Sequence, residues 1–237
     1  MMQPYLIFTL AASLGAMGDL AGHERRGSLS WPGRSAVLGL LAAALGIRRD
    51  GDFAALDALS LAVAVFDDGQ PLRDYHTVET VPSAAVKAAN SRPEALRQAG
   101  KLKTNTTITL RDYRAGVLYG VAIWGGALGP LEQALRTPNF TLYLGRKSCP
   151  LSAPPAPKLV QADSPEAALG ELVLPLWQQS DRQNRPVAAR QLMTDAEPDD
   201  AHVEDRHDMP RDRALWHFAP RRVAFRAVEI IPAGREA

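Results

Sequence analysis

An α+β fold is predicted by three features of the sequence. The run YLIFTLA (residues 5–11) is continuously apolar, as a strand buried on both faces is. The stretch WPGRSAVLGLLAAALGIRRD (31–50) puts Val37, Leu40, Leu41, Ala44 and Leu45 on one helical face. Short apolar runs bounded by turn residues then recur, beginning with LSLAVAVFDDG (59–69), so strands alternate with helices along the chain.

Each element can be justified in order. A polar, basic loop through His23, Arg25 and Arg26 follows the first strand. In the helix after it, Ser35 can cap the start and Gly46 can close the end. PLRDYHTV (71–78) is extended. From Glu79 to Lys103 the pattern changes: two prolines and a glycine interrupt it, no long apolar face forms, and five Lys/Arg face two Glu. This is an excursion from the core with a net charge of +3. TNTTITLRDYRAGVLYGVAIWGG (104–126) reads as two strands joined around Arg114 to Gly116, with β-branched residues alternating on the first arm. LGPLEQALRTP (128–138) is a short helix with Pro130 near its start and Pro138 past its end.

FTLYLGRKSCPL (140–151) looks like a strand that delivers Arg146 and Lys147 on a turn. The order through this point, strand, helix, strand, excursion, strands, helix, strand, suits a ferredoxin-like split βαβ unit over residues 1–150, the architecture of RNA-recognition modules. Beyond it a β-rich C-terminal part (151–237) is expected, with a short helix at SPEAALGEL and strand-like pieces at VAARQLM and RRVAFRAVEII. The acid-rich, hydrophobe-poor run at 195–213 reads as a solvated or disordered loop.

At 237 residues the chain can bury a substantial core as one domain or two. Its single cysteine, Cys149, excludes an internal disulfide and a thiolate cluster for zinc, which fits a reducing compartment. No run approaches the roughly 18 apolar residues of a membrane span, and the apolar N-terminus lacks the basic region of a signal peptide. A cytoplasmic protein with no membrane partner is expected. Net charge is only +1, but residues 1–150 carry +4 and residues 151–237 carry −3. That basic bias is compatible with phosphate binding without establishing it.

Chemistry-bearing residues fall into a few groups. Arg34 and Ser35 stand at a helix start, where free N–H groups make a phosphate seat; the competing reading, an ordinary capped helix with Trp31 beneath it, is favoured on spacing alone. The excursion at 79–103 is either a surface loop or, given its length and charge, a clamp on a nucleic-acid backbone. His202 and His207 sit among acids at no established metal spacing. His76, in RDYHTV, is the one histidine placed to act as a general base, although such a residue more often hydrogen-bonds in a strand. No P-loop, dinucleotide fingerprint, nucleophile elbow or zinc signature is present. Neither a cofactor nor a metal is called for.

Three segments, WPGRSAVLGLLAAALGIRRD, LRDYHTV and FTLYLGRKSCPL, in this order and spacing closely resemble the CasD family of type I-E CRISPR Cascade subunits, members of the RAMP superfamily. The resemblance is dense over residues 34–151 and thins beyond. Ala16-Met17-Gly18 departs from it, because the family carries an aromatic before a glycine there.

The resemblance implies an RRM-like palm with an inserted thumb, here residues 79–103. In that reading the chain is a non-catalytic cap on the 5′ handle of a crRNA, in contact with the Cascade backbone subunit and large subunit. It would meet target DNA only through the complex. Candidate RNA contacts are then Arg34, Ser35, Arg73, Tyr75, His76, Lys87, Arg92, Arg97, Lys101, Lys103, Tyr143, Arg146 and Lys147. RNA single strands are held by such cations and by aromatic or Arg planes stacked on bases. The enzyme alternative is a metal-independent endoribonuclease for CRISPR precursor RNA, using His76, Tyr75 or a thumb lysine. A small-molecule enzyme has only the fold in its favour.

Overall fold

The computed structural model describes residues 1–21, 24–82, 86, 91–100, 104–180, 186–213, 215 and 217–233. The elements are β1 (Gln3–Gly15), β2 (Met17–Ala21), β3 (Arg25–Leu29), α1 (Arg34–Leu45), α2 (Ala54–Asp57), β4 (Ser60–Asp67), β5 (Gln70–Thr80), α3 (Arg92–Ala99), β6 (Asn105–Trp124), α4 (Leu128–Arg136), β7 (Lys158–Ala162), α5 (Pro165–Leu169), β8 (Ala189–Asp195), β9 (Val203–Asp212) and β10 (His217–Ile230). The chain is α+β, and its ten described strands belong to one sheet.

The middle of that sheet runs β7–β1–β6–β4–β8–β10–β9, with every neighbouring pair antiparallel. Alternation explains the unbroken apolar runs. Leu6, Phe8 and Leu10 of β1 meet Val37, Leu38 and Leu41 of α1 and Leu131 and Leu135 of α4 on one face. Tyr5 and Ile7 meet Leu169 and Leu172 on the other. Each large side chain so buried contributes about 1.5–3 kcal/mol. The second face is lined by small residues, Ala62, Ala64, Ala122 and Ala189. At Gly120 a Cβ would stand 2.5 Å from Leu172 Cδ1, so the covering segment seats directly on the strand.

α1 ends as expected, with Gly46 at φ 80° returning its N–H to Ala42 and Ala43. Its start differs. The N-cap is Gly33, without a side-chain cap, and the Asp208 carboxylate accepts from the Arg34 N–H at 2.7 Å instead. That approach requires glycine, because a Cβ on Gly33 would lie 2.9 Å from Asp208 Oδ2.

Other expectations are corrected. Residues 104–126 are one strand and not two: β6 continues through Gly116, whose φ of 74° relaxes the chain without reversing it. Residues 140–151 form no strand; a single bridge pairs Tyr143 with Pro150, and the place beside β1 is taken by β7. The basic loop after β1 is a β2–β3 hairpin in the residues described. Within the acidic run 195–213, Val203–Asp212 form a strand on β10 rather than a solvated or disordered loop. Several of its acids are matched by arginines: Arg221 donates to both Asp208 oxygens at 2.8 and 3.0 Å and to Asp195 at 2.7 Å, and Arg226 forks onto Asp200 at 2.7 and 3.1 Å. The run's own Arg213 forks onto Asp57 of α2 at 2.6 and 2.9 Å. Burial disfavours the Arg221 charge, and the two carboxylates outweigh it, raising its pKa. Separately from these corrections, β8 pairs with β4, so the sheet includes strands from both sides of residue 150.

Candidate nucleic-acid interface

β6 is 20 residues long, and only its second half lies in the core. Its first half, Asn105 to Ala115, pairs with β5 over eleven consecutive positions, from Thr80↔Asn105 to Gln70↔Ala115. Gly69 at φ 70° and Gly116 at φ 74° mark the two places where this ribbon leaves the core. Gly69 is sterically required, since a Cβ there would lie 2.5 Å from the Ala115 carbonyl. β3 runs parallel to β6 on the other side, with Arg25 opposite Leu110 and Arg26 opposite Arg111.

Residues directly opposite in an antiparallel pair share a face, and successive residues alternate. One face of the ribbon therefore carries Arg73 with Asp112, Tyr75 with Leu110, and Thr77 with Ile108. Tyr75 is 70% exposed and Ile108 55%, so large apolar groups stand in solvent beside charges. Arg25 joins this face, donating from Nε and Nη2 to Asp112 Oδ2 at 2.8 and 2.6 Å. Arg73 Nε donates to the other oxygen at 2.7 Å. The Arg73 hydrogen bond holds the Asp112 carboxyl below the ordinary carboxylate pKa.

The opposite face carries Leu72 with Tyr113, Asp74 with Arg111, and His76 with Thr109. The Arg146 guanidinium lies over the Tyr113 ring, 4.5 Å from its centroid. It donates to the Asp112 and Arg26 carbonyls, both at 3.2 Å. The turn that carries it is seated against the loop after β1: Ala16 N–H donates to the Leu144 carbonyl at 3.1 Å. Gly145, at φ 84°, admits no side chain there, because a Cβ would fall 1.8 Å from the Ala16 oxygen.

The model of the family described as CRISPR-associated protein (Cas_Cas5) matches residues 5–224, from β1 into β10. The chain belongs to the Cas5 family. Among curated relatives, the CRISPR system Cascade subunit CasD of Escherichia coli K12 is 36% identical over 186 residues, 71% of this chain and 76% of that protein. Two solved structures share the fold. One, described as a CRISPR RNA-guided surveillance complex, has a TM-score of 0.68 at 24% identity, covering 96% of this chain and 91% of that one. The other, described as a Cas protein, has a TM-score of 0.66 at 26% identity, covering 97% and 98%. The Cas5 match reaches well past residue 151, where the resemblance read from sequence thins.

This Cas5 chain sorts the sequence-predicted residues into four groups. Arg73, Tyr75 and His76 lie on the ribbon, but Tyr75 and His76 are adjacent and point to opposite faces. Arg146 is clamped to backbone and ring rather than held out, whereas Lys147 beside it is exposed; Tyr143 is half-buried at its bridge to Pro150. Arg34 is buried, its Nη2 donating to the Asp57 carbonyl at 2.7 Å; with Asp208 on its N–H, it offers no open phosphate seat, and Ser35 is half-buried beside it. In the excursion, Arg97 is exposed on α3, a helix capped by Ser91 accepting from Glu94 N–H at 3.4 Å. Lys87, Lys101 and Lys103 fall outside the described residues, as does the Arg92 side chain.

Sequence reasoning missed α3 and the roles of Arg25 and Asp112. The Ser91-Arg92-Pro93-Glu94 capping pattern was a readable signal for the helix. For Arg25 and Asp112 only the strand register brings the pair together.

Proposed function

We propose that this Cas5-family protein is a non-catalytic RNA-binding subunit of a type I-E CRISPR Cascade surveillance complex. It caps the 5′ handle of the crRNA, joins the backbone and large subunits, and meets target DNA through the complex. It works in the cytoplasm and uses no cofactor.

The observation that carries this reading is the β5–β6 ribbon, which exposes Tyr75 and Ile108 next to Arg25 and Arg73 on one face. Flat aromatic and apolar groups interleaved with guanidiniums are what a splayed single strand requires, because stacking holds bases and cations hold phosphates. The thumb is the excursion at 79–103, which β5 leads into and β6 leads out of. The palm is the β7–β1–β6–β4 set with α1 and α4 on one face, a ferredoxin-like, RRM-like arrangement supported by the antiparallel order of those strands. Lys147, beside Arg146 on the Tyr113 side of the ribbon, and Arg97 on α3 are further exposed cations. The CasD relative, a Cascade subunit, supports the assembly.

The nuclease alternative has less behind it. It would use His76, Tyr75 or a thumb lysine, and Tyr75 and His76 stand on opposite faces of the ribbon, so at most one of the two would meet a given phosphate.

The test is the double variant Arg73→Ala/Tyr75→Ala, produced with its sister subunits. Loss of one stacked base costs about 1–3 kcal/mol, so crRNA retention should fall at least about fivefold. The log–log salt slope should also become shallower by about 0.7 for the lost phosphate contact. Unchanged retention and slope would refute the ribbon as the RNA-binding surface.

A further inference from the structure

Three arginines from three separate segments, Arg25 of β3, Arg73 of β5 and Arg146 of the turn after Leu144, converge on two residues of β6, Asp112 and Tyr113. Arg146 takes the backbone carbonyl and the ring and leaves the Asp112 carboxylate to the other two. That carboxylate is nearly covered, with 15% of the side chain exposed, while its partners remain 58% and 44% exposed. The anion is thus enclosed by two cations whose outer surfaces face solvent, on the same ribbon face as Tyr75 and Ile108.

We infer that Asp112 is a built-in competitor for phosphate, an internal anion that occupies Arg25 and Arg73 and sets the threshold a nucleic acid must exceed to engage them. The inference rests on the RNA-binding reading and goes beyond it. Carboxylate and phosphate oxygens both fit the guanidinium fork, so whatever sits on Asp112 also suits a phosphate. Ion pairs whose cations are as exposed as these two are individually weak. The carboxylate is accordingly a threshold and not a block. A stray anion must overcome it with electrostatics alone. A strand that also stacks on Tyr75 has additional binding energy with which to do so. Asp112 discriminates against unspecific polyanions at the cost of some affinity for the proper ligand.

Asp112→Asn removes the charge and keeps one acceptor oxygen, enough to orient one arginine, while its NH2 cannot accept from the other. Binding is read by anisotropy on the full chain, with inorganic polyphosphate and a 12-nucleotide oligouridine as probes. The variant should bind polyphosphate about three- to tenfold more tightly, the gain from releasing one or two such pairs. Its oligouridine salt slope should steepen by about 0.7 per added phosphate contact. Asp112→Glu should restore wild-type values, and the gain should vanish when Arg25 and Arg73 are also alanine.

Weaker or unchanged polyphosphate binding by Asp112→Asn at unchanged Tm overturns the inference, since it makes Asp112 merely a brace. If that variant does not fold, side-chain NMR of the wild-type chain decides. Polyphosphate should shift the Arg25 and Arg73 Nε–H signals together with the Asp112 carboxyl signal, and fixed signals refute the competition. A polyphosphate response without oligouridine binding at low salt keeps the inference and overturns the RNA reading. RNA binding indifferent to Asp112→Asn does the reverse.

Discussion

The two halves of β6 compare one strand under two regimes. From Val117 to Ile123 it lies between β1 and β4, buried on both faces. From Asn105 to Ala115 it pairs throughout with β5, while its other edge meets β3 at Leu110 and Arg111 and β1 at Arg114 and Ala115, and Asn105 to Ile108 stand in solvent. Backbone pairing is continuous in both halves, so the ladder alone does not distinguish them. Side chains do: Val117, Tyr119, Val121 and Ile123 fill the core that α1 and α4 cover, whereas Ile108 is exposed and Leu110, Arg111 and Asp112 are half-buried. The inner half holds the protein together. The outer half is rigid because it is paired, and it is free to bind because it is not packed.

The largest expected effect tests this division directly. Ile123→Ala opens a cavity in a fully buried site and should cost about 2–5 kcal/mol. Ile108→Ala, the same substitution 15 positions away, should change stability by less than about 0.5 kcal/mol. Urea denaturation of the two variants measures both. A cost for Ile108→Ala comparable to that for Ile123→Ala would show that the ribbon packs on something and is not a free surface.

The boundary itself is worth less, but it is still measurable. Gly116 stands at φ 74° with nothing within 4 Å of an added Cβ, so Gly116→Ala isolates the backbone term. It should cost about 1–2 kcal/mol. Gly69→Ala adds a collision with the Ala115 carbonyl and should cost more. Equal costs would mean that the crossing from core to ribbon is tolerant of its geometry at Gly69.

What the sequence disclosed and what it hid follow the same division. Burial writes itself into local pattern, so YLIFTLA, LSLAVAVFDDG and the helices at 34–45 and 128–136 were legible, as was the Gly46 stop. Pairing does not. Gly116 reads as a turn because glycine often makes one, and it is β1, paired with Val117 on one side and with Ala115 and Arg114 on the other, that carries the strand through it. The alternating run at 140–151 has strand character, yet β7 occupies the edge it would have needed. The acids at 204–212 read as solvated because a neutralising partner such as Arg221 on Asp208 is apparent only once β9 lies along β10. The site was legible to the extent that Arg73, Tyr75 and Lys147 proved exposed. Arg34 failed because charge at a helix start says nothing about which carboxylate reaches it first. Arg25 and Asp112 escaped notice because each is unremarkable until the register joins them.

The smallest expected effect concerns His76, and it sharpens the comparison within the ribbon, face against face. His76 shares its face with Leu72 and Asp74, with Nδ1 3.9 Å from an Asp74 oxygen. Tyr75, Arg73 and Arg25 are on the other side. Metal-free cleavage of RNA needs a base on the 2′-hydroxyl and a cation on the phosphorane around one phosphate, and losing the base costs about 10² to 10⁴ in rate. Here the histidine and the Arg25–Arg73 pair are separated by the thickness of a strand. His76→Ala should leave stability within about 0.5 kcal/mol and RNA affinity within about twofold, because it neither stacks with Tyr75 nor touches Asp112. Wild type and variant alike should leave CRISPR repeat RNA intact over hours, with or without added Mg²⁺. Cleavage at one position in the repeat by the wild-type chain, abolished by His76→Ala, would put the reacting phosphate on the Leu72 face. It would make the protein a nuclease, and the Arg73 face would then be the side the RNA does not use.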